Sequence, residues 1–108
     1  MLEVKMSRAQ QLIDIAKDYI TVERRKGDVS KRIVRKLEAS RATLESMYAD
    51  EEFRTIAGKT LDCVDNMLEY VKTKEPRFLD AAIVAHHESD ALIYELIAES
   101  GEDLSHTT

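Results

Sequence analysis

The densest group of side chains that could do chemistry is the run His86, His87, Glu88, Ser89 and Asp90. Residues four positions apart on a helix lie on the same face, so His86 and Asp90 could meet there. A carboxylate beside an imidazole can orient it as a general base, as a pH-responsive group or as part of a metal site. These three uses are the chemistry that the sequence offers at this point.

The apolar residues around this run favour a structural role instead. They recur with helical spacing from Phe78 to Ile97, and His86, Ser89 and Asp90 fall inside the resulting apolar arc. A catalytic or metal site would need further ligands or a nucleophile, and neither an H-E-x-x-H motif nor paired E-x-x-H motifs are present. We therefore interpret His86, Ser89 and Asp90 as a structural polar layer that sets helix register. A pH-responsive contact and a metal-dependent enzyme around His86 and Asp90 are the alternatives.

Charge divides the chain into two unlike halves. Residues 1–48 carry 11 Lys or Arg and 7 Asp or Glu, whereas residues 49–108 carry 5 and 14, which leaves a net charge of −5. The basic residues could bind phosphates of a nucleic acid, or they could pair with the acidic fourth helix, within the bundle or in another subunit. The predicted basic interaction face consists of Arg24, Arg25, Lys26, Lys31, Arg32, Arg35 and Lys36.

Helices must position all of these residues, because Gly occurs three times, Pro once and Trp not at all. Capping residues and breakers predict helices over about 2–26, 30–48, 50–73 and 76–100, followed by a polar tail at 102–108. Residues 2–6 fit either the first helix or an extended arm. The residues that set these limits are Gly27, then Asp28 or Ser30 as a cap, Asp50, Pro76 and Gly101.

Short connections between the helices make neighbours antiparallel. The sequence therefore predicts a single all-α domain over 1–101, an up-down four-helix bundle or a pair of helical hairpins that a second chain could complete. The first helix has an unusually wide apolar arc made of two stripes, which one core could absorb or an oligomer interface could use. One stripe is Leu2, Met6, Ala9, Ile13, Ala16 and Ile20, and the other is Leu12, Ile15, Tyr19 and Val22.

These features favour a binding protein over an enzyme. Cys63 is the only cysteine, so no internal disulfide can form, and the sequence has no glycine-rich phosphate loop. It also has no membrane-spanning run or secretory signal, which predicts a cytoplasmic protein. We expect a non-enzymatic helical bundle without a cofactor, acting as an accessory, regulatory or assembly factor that binds itself, with a dimer favoured, or a larger complex. A nucleic-acid-associated factor is the alternative from a different class.

Overall fold

Four α-helices account for most of residues 2–105, the part of the chain whose backbone the computed structural model describes; side chains are described for residues 7–98. Within residues 2–105 there is no strand, which confirms the all-α prediction. The helices are α1 (Leu2–Arg24), α2 (Lys31–Ala49), α3 (Arg54–Thr73) and α4 (Pro76–Ser105), with a 3-10 turn at Glu51–Phe53 before α3.

Two of the predicted helix caps are formed. The Ser30 hydroxyl accepts a hydrogen bond from the backbone N–H of Ile33 at 3.5 Å and begins α2. The Asp50 carboxylate accepts from the N–H of Glu52 at 3.1 Å and begins the 3-10 turn. Both caps satisfy backbone donors that have no partner inside a helix, which is why short polar residues at these positions were informative.

The helix ends differ from the prediction at three places. The first helix stops at Arg24 instead of Lys26, because Lys26 and Gly27 both have positive φ, at 50° and 79°. Residues 2–6 belong to the first helix, as the predicted range has them, and do not form an extended arm. The third helix begins at Arg54 instead of about residue 50, after the 3-10 turn. The last helix continues through Gly101 to Ser105, so the predicted end at about 100 is wrong, and residues 106–108 of the predicted tail lie outside the described residues. A glycine inside a helix costs only about 0.5–1 kcal/mol, so the residue signals a helix end without enforcing one.

All four helices contribute side chains to the core. The most extensive packing is that of α3 on α2 and α4, while α1 packs on α4 and α3 and touches α2 least. The turn at Gly27 contacts Lys74 at the end of α3, so α1 and α3 end at the same end of the molecule and the helices alternate in direction. The largest fully buried side chains are Leu12, Val22, Leu37, Leu44, Met47, Phe53, Val64 and Met67.

The bundle has four seams between neighbouring helices: α1–α2, α2–α3, α3–α4 and α4–α1. Ion pairs cross the first three. Their N···O distances are 3.1 Å between α2 and α1, 2.9 Å between α2 and α3, and 2.6 Å between α3 and α4. Among the side chains of residues 7–98, no ion pair crosses the seam between α4 and α1. In the described part of the chain, that seam is held by apolar and aromatic contacts. The three pairs are Lys36–Asp18, Arg41–Asp65 and Lys59–Glu88.

Candidate functional site

The polar layer in the core is built around a residue that the sequence did not single out. The Ser89 hydroxyl lies 2.6 Å from the hydroxyl of Thr60 on α3, and both residues are buried. Thr60 donates its only hydroxyl hydrogen to the carbonyl of Ile56 at 2.8 Å, so Ser89 is the donor between the two hydroxyls. Thr60 could not be singled out from the sequence, because it occupies an ordinary position in the apolar stripe of α3.

His86 and Asp90 do not share this bond. The His86 ring stacks on Tyr19 of α1, with centroids 4.1 Å apart and planes at 18°. Asp90 instead faces the groove between α1 and α4, and none of the hydrogen bonds among residues 7–98 joins it to His86. The three residues predicted as one layer therefore have three different partners.

Burial favours the uncharged forms of Tyr19, Cys63 and His86. It raises the pKa of the Cys63 thiol to about 12, and burial together with the Glu23 carboxylate raises the pKa of Tyr19 well above its usual range. The pKa of His86 is lowered by burial and by His87, although Asp90 and Glu23 act in the opposite direction. Cys63 is therefore a thiol, and not the thiolate that a nucleophile requires.

The space beside these groups is small. Tyr19, Cys63, His86 and Ser89 border a cavity of about 10 Å³, which is close to the least volume that one water molecule needs. In the described part of the chain, no group of three His, Cys, Asp or Glu side chains is placed to hold a metal ion. In the described part of the chain, Ser89 is the one member of the predicted layer with a side-chain hydrogen bond to another helix.

The lowered pKa of His86 predicts how stability depends on pH. The unfolded chain binds the His86 proton near pH 6.5, whereas the folded protein binds it only at lower pH, so protonation favours unfolding. We expect the free energy of unfolding to fall as pH is lowered from 7 to about 5.5, a window above most carboxylate titrations. The His86→Phe variant retains a ring over Tyr19 and should show a flatter slope in urea denaturation across this window.

His87, the exposed residue that follows His86, provides the control for this prediction. His87→Gln should retain most of the wild-type slope, because burial is the largest cause of the shift at His86. Equal slopes in the wild type and His86→Phe would show that His86 does not contribute.

The predicted basic face divides into two groups. All seven cations are exposed, but only Arg25, Arg32 and Lys36 line a hollow of about 310 Å³ between α1 and α2. The other four, Arg24, Lys26, Lys31 and Arg35, lie outside it. We call this space the cationic hollow; its walls are Thr21, Arg25, Val29, Ser30, Arg32, Ile33 and Lys36.

A second hollow continues along the same seam beyond the Lys36–Asp18 ion pair, and Lys36 and Asp18 both line it. Its volume is also about 310 Å³, and beside Lys36 its walls carry the acceptor groups of Gln11, Asp14 and Asp18. One of them, Oε1 of Gln11, is buried without a hydrogen-bond partner. The seam between α1 and α2 therefore has a hollow on each side of the Lys36–Asp18 ion pair.

An apolar opening lies on the other side of α1. A groove of about 320 Å³ runs between α1 and α4, and large side chains beside it are exposed, with Ile20 at 41% and Tyr94 at 68%. Lys17 on α1 and Asp90 on α4 lie on its opposite walls. We call this surface the α1–α4 face; its residues are Ile13, Ala16, Lys17, Ile20, Asp90, Ile93, Tyr94 and Ile97.

This face shows which of the two apolar stripes of α1 lies partly outside the core. Leu12, Ile15, Tyr19 and Val22 are all buried, so the core takes the second stripe. In the first stripe Ile13 and Ala16 are half-buried and Ile20 is exposed. The width of the apolar arc was the signal for this surface, although spacing alone did not show which stripe would remain outside.

The described helices include none with the length and apolar character to cross a membrane. Comparisons with protein-family models, with curated proteins and with solved structures give no match, so the functional argument rests on the residues of this chain.

Proposed function

We propose that this protein is a non-enzymatic helical bundle that acts by binding protein, and that it associates with a second copy of itself through the α1–α4 face. The observation that carries the proposal is the exposure of Ile20 and Tyr94 beside the seam between α1 and α4, which no ion pair among the side chains of residues 7–98 crosses. Contiguous apolar surface of this kind is typical of interaction sites. Such a bundle would serve as an accessory, regulatory or assembly factor.

The charges beside the groove support a second copy as the occupant. Lys17 and Asp90 both line the groove, one on each helix. A twofold axis parallel to the helices would set α1 of one copy over α4 of the other at the same height. Each Lys17 would then face Asp90 of the second copy, so the surface is complementary to itself in charge as well as in apolar character.

The outer surface of α4 extends this face. Val84, Ala91 and Tyr94 recur at helical spacing on its exposed side, and Val84 is 58% exposed. The molecule measures 49 × 26 × 22 Å, so its long faces are large enough for the roughly 800 Å² per partner that a standard interface buries. The groove would supply the apolar centre and the polar residues around it the rim.

Sedimentation velocity of the full chain from about 1 to about 200 µM tests this proposal, since affinities in this range suit an interface with a small apolar centre. We expect a monomer–dimer equilibrium that persists in high salt. Ile20→Lys and Tyr94→Lys should each weaken the dimer by about tenfold or more, equivalent to about 1.4 kcal/mol. Tyr48→Lys is the matched control, because Tyr48 is half exposed and lies outside the α1–α4 face.

A charge exchange tests the twofold arrangement separately. Lys17→Asp and Asp90→Lys should each weaken the dimer, because each brings like charges together across the interface, and the double exchange should restore it. A folded protein that stays monomeric over the whole concentration range would contradict the proposal. So would a dimer that neither Ile20→Lys nor Tyr94→Lys weakens.

A further inference from the structure

The cationic hollow lies on a different side of the molecule from the α1–α4 face and carries a separate inference. Arg25 lies in the turn that follows α1, while Arg32 and Lys36 lie one helical turn apart on α2. No Asp or Glu is among the residues that line the hollow. Three cations from two neighbouring elements thus border one space in a protein whose net charge is −5.

These cations differ in how far they are already neutralised. Lys36 donates to the Asp18 carboxylate at 3.1 Å, and Asp18 is buried, so the pair is fixed in the seam. Arg25 and Arg32 have no ion pair or hydrogen bond from their side chains within residues 7–98. The hollow therefore has two uncompensated guanidinium groups on its walls, and both would attract an anion bound there.

We propose that the cationic hollow binds the phosphate group of a small organic phosphate monoester. The planar fork of each guanidinium matches the spacing of phosphate oxygens, and two such charges balance a phosphate dianion. The Ser30 hydroxyl adds a third donor, because it accepts from the N–H of Ile33 and its own hydrogen remains available. The Thr21 hydroxyl is already used, since it donates to the carbonyl of Lys17 at 3.1 Å.

The size and walls of the hollow define the rest of the ligand. A volume of about 310 Å³ exceeds what a bare phosphate ion fills, and Val29 and Ile33 provide an apolar wall. A compact organic group attached to the phosphate would pack on that wall while the anion meets the two arginines. Ligand pockets commonly combine apolar walls with a few polar groups that fix orientation.

The position of the other cations favours a small ligand over a nucleic acid. Lys31 and Arg35 are exposed on α2 but lie outside the hollow, and the second half of the chain is strongly acidic. A nucleic-acid surface needs cations spread along the track of a backbone. Here the two uncompensated arginines converge on a single space.

Titration calorimetry at low salt with phenyl phosphate and with inorganic phosphate tests the inference. We expect phenyl phosphate to bind with a Kd of about 1 mM or tighter and more tightly than inorganic phosphate, because its ring reaches the apolar wall. Arg25→Gln and Arg32→Gln should each weaken binding by about tenfold or more, since each removes a charge-assisted pair. Chemical shift changes in a ¹H–¹⁵N spectrum should centre on the backbone amides of residues 29–33.

The chain supplies matched controls on the same helix. Lys31→Gln and Arg35→Gln remove the same charge outside the hollow and should change binding by less than about twofold. All four cations are exposed, so circular dichroism should show unchanged folding. Failure to bind phenyl phosphate at about 10 mM would overturn the inference. It would also be overturned if single-stranded DNA bound more tightly and all four variants weakened that binding alike, which would indicate a nucleic-acid surface.

Discussion

Thr60→Val should lower the free energy of unfolding by about 1–3 kcal/mol, although it changes almost no volume. The Thr60 hydroxyl is the acceptor for Ser89 at 2.6 Å, and both groups are buried between α3 and α4. Valine would leave the Ser89 hydroxyl without its partner, and a buried donor without a partner costs more than a hydrogen bond contributes. Urea denaturation at pH 7 measures the difference.

Ser89→Ala should lower the free energy of unfolding less than Thr60→Val, because Ser89 is the donor and Thr60 the acceptor of the hydrogen bond between them. In Ser89→Ala the Thr60 hydroxyl still donates to the carbonyl of Ile56, so we expect a loss of about 1 kcal/mol or less. The double variant should be more stable than the two single losses predict, since no buried hydroxyl is then left unpaired. Strictly additive losses would show that the two hydroxyls do not interact.

Gly27→Ala should destabilise the protein by about 2 kcal/mol, because Gly27 has a φ of 79° and a Cβ in that conformation meets the chain. The added Cβ would also lie 3.0 Å from Nζ of Lys74 and 3.2 Å from Cε2 of Tyr70. Lys74 could move away, but it would then give up its hydrogen bond to the Gly27 carbonyl. Both the backbone strain and the lost hydrogen bond lower the free energy of unfolding of the variant.

Gly58 provides the matched control, since it is also a glycine beside a tyrosine. Its Cβ would lie 3.5 Å from Cε2 of Tyr48, an ordinary contact distance, and the residue is inside α3. Gly58→Ala should therefore raise stability by about 0.5–1 kcal/mol. Thermal unfolding of the two variants should give shifts of opposite sign. A destabilised Gly58→Ala would mean that Tyr48 cannot accept the methyl group.

Helix existence and most helix starts could be predicted because their causes are local. Ser30 and Asp50 accept hydrogen bonds from residues three and two positions further on, so a short window of sequence contains both partners. The end of α4 could not be predicted in the same way. A glycine permits a helix end, and whether the helix continues at Gly101 depends on more than the residue itself.

The candidate sites were less predictable, because helical spacing places residues on a face without saying what that face meets. His86, Ser89 and Asp90 lie on adjacent parts of α4, yet their partners are Tyr19, Thr60 and the α1–α4 groove. These contacts join residues far apart in the chain. For the same reason, the sequence could not divide one run of cations into those that line a hollow and those that only face solvent.

The bond from Lys74 to the Gly27 carbonyl has a consequence for how the bundle opens. It connects the turn of one helical hairpin to the turn of the other across 47 residues, whereas the Asp50 turn at the opposite end is closed by its own neighbours. Fraying of either hairpin turn removes a donor or an acceptor from the other. We therefore expect the two hairpin turns at this end to lose protection from amide hydrogen exchange together, and the Asp50 turn to lose it separately.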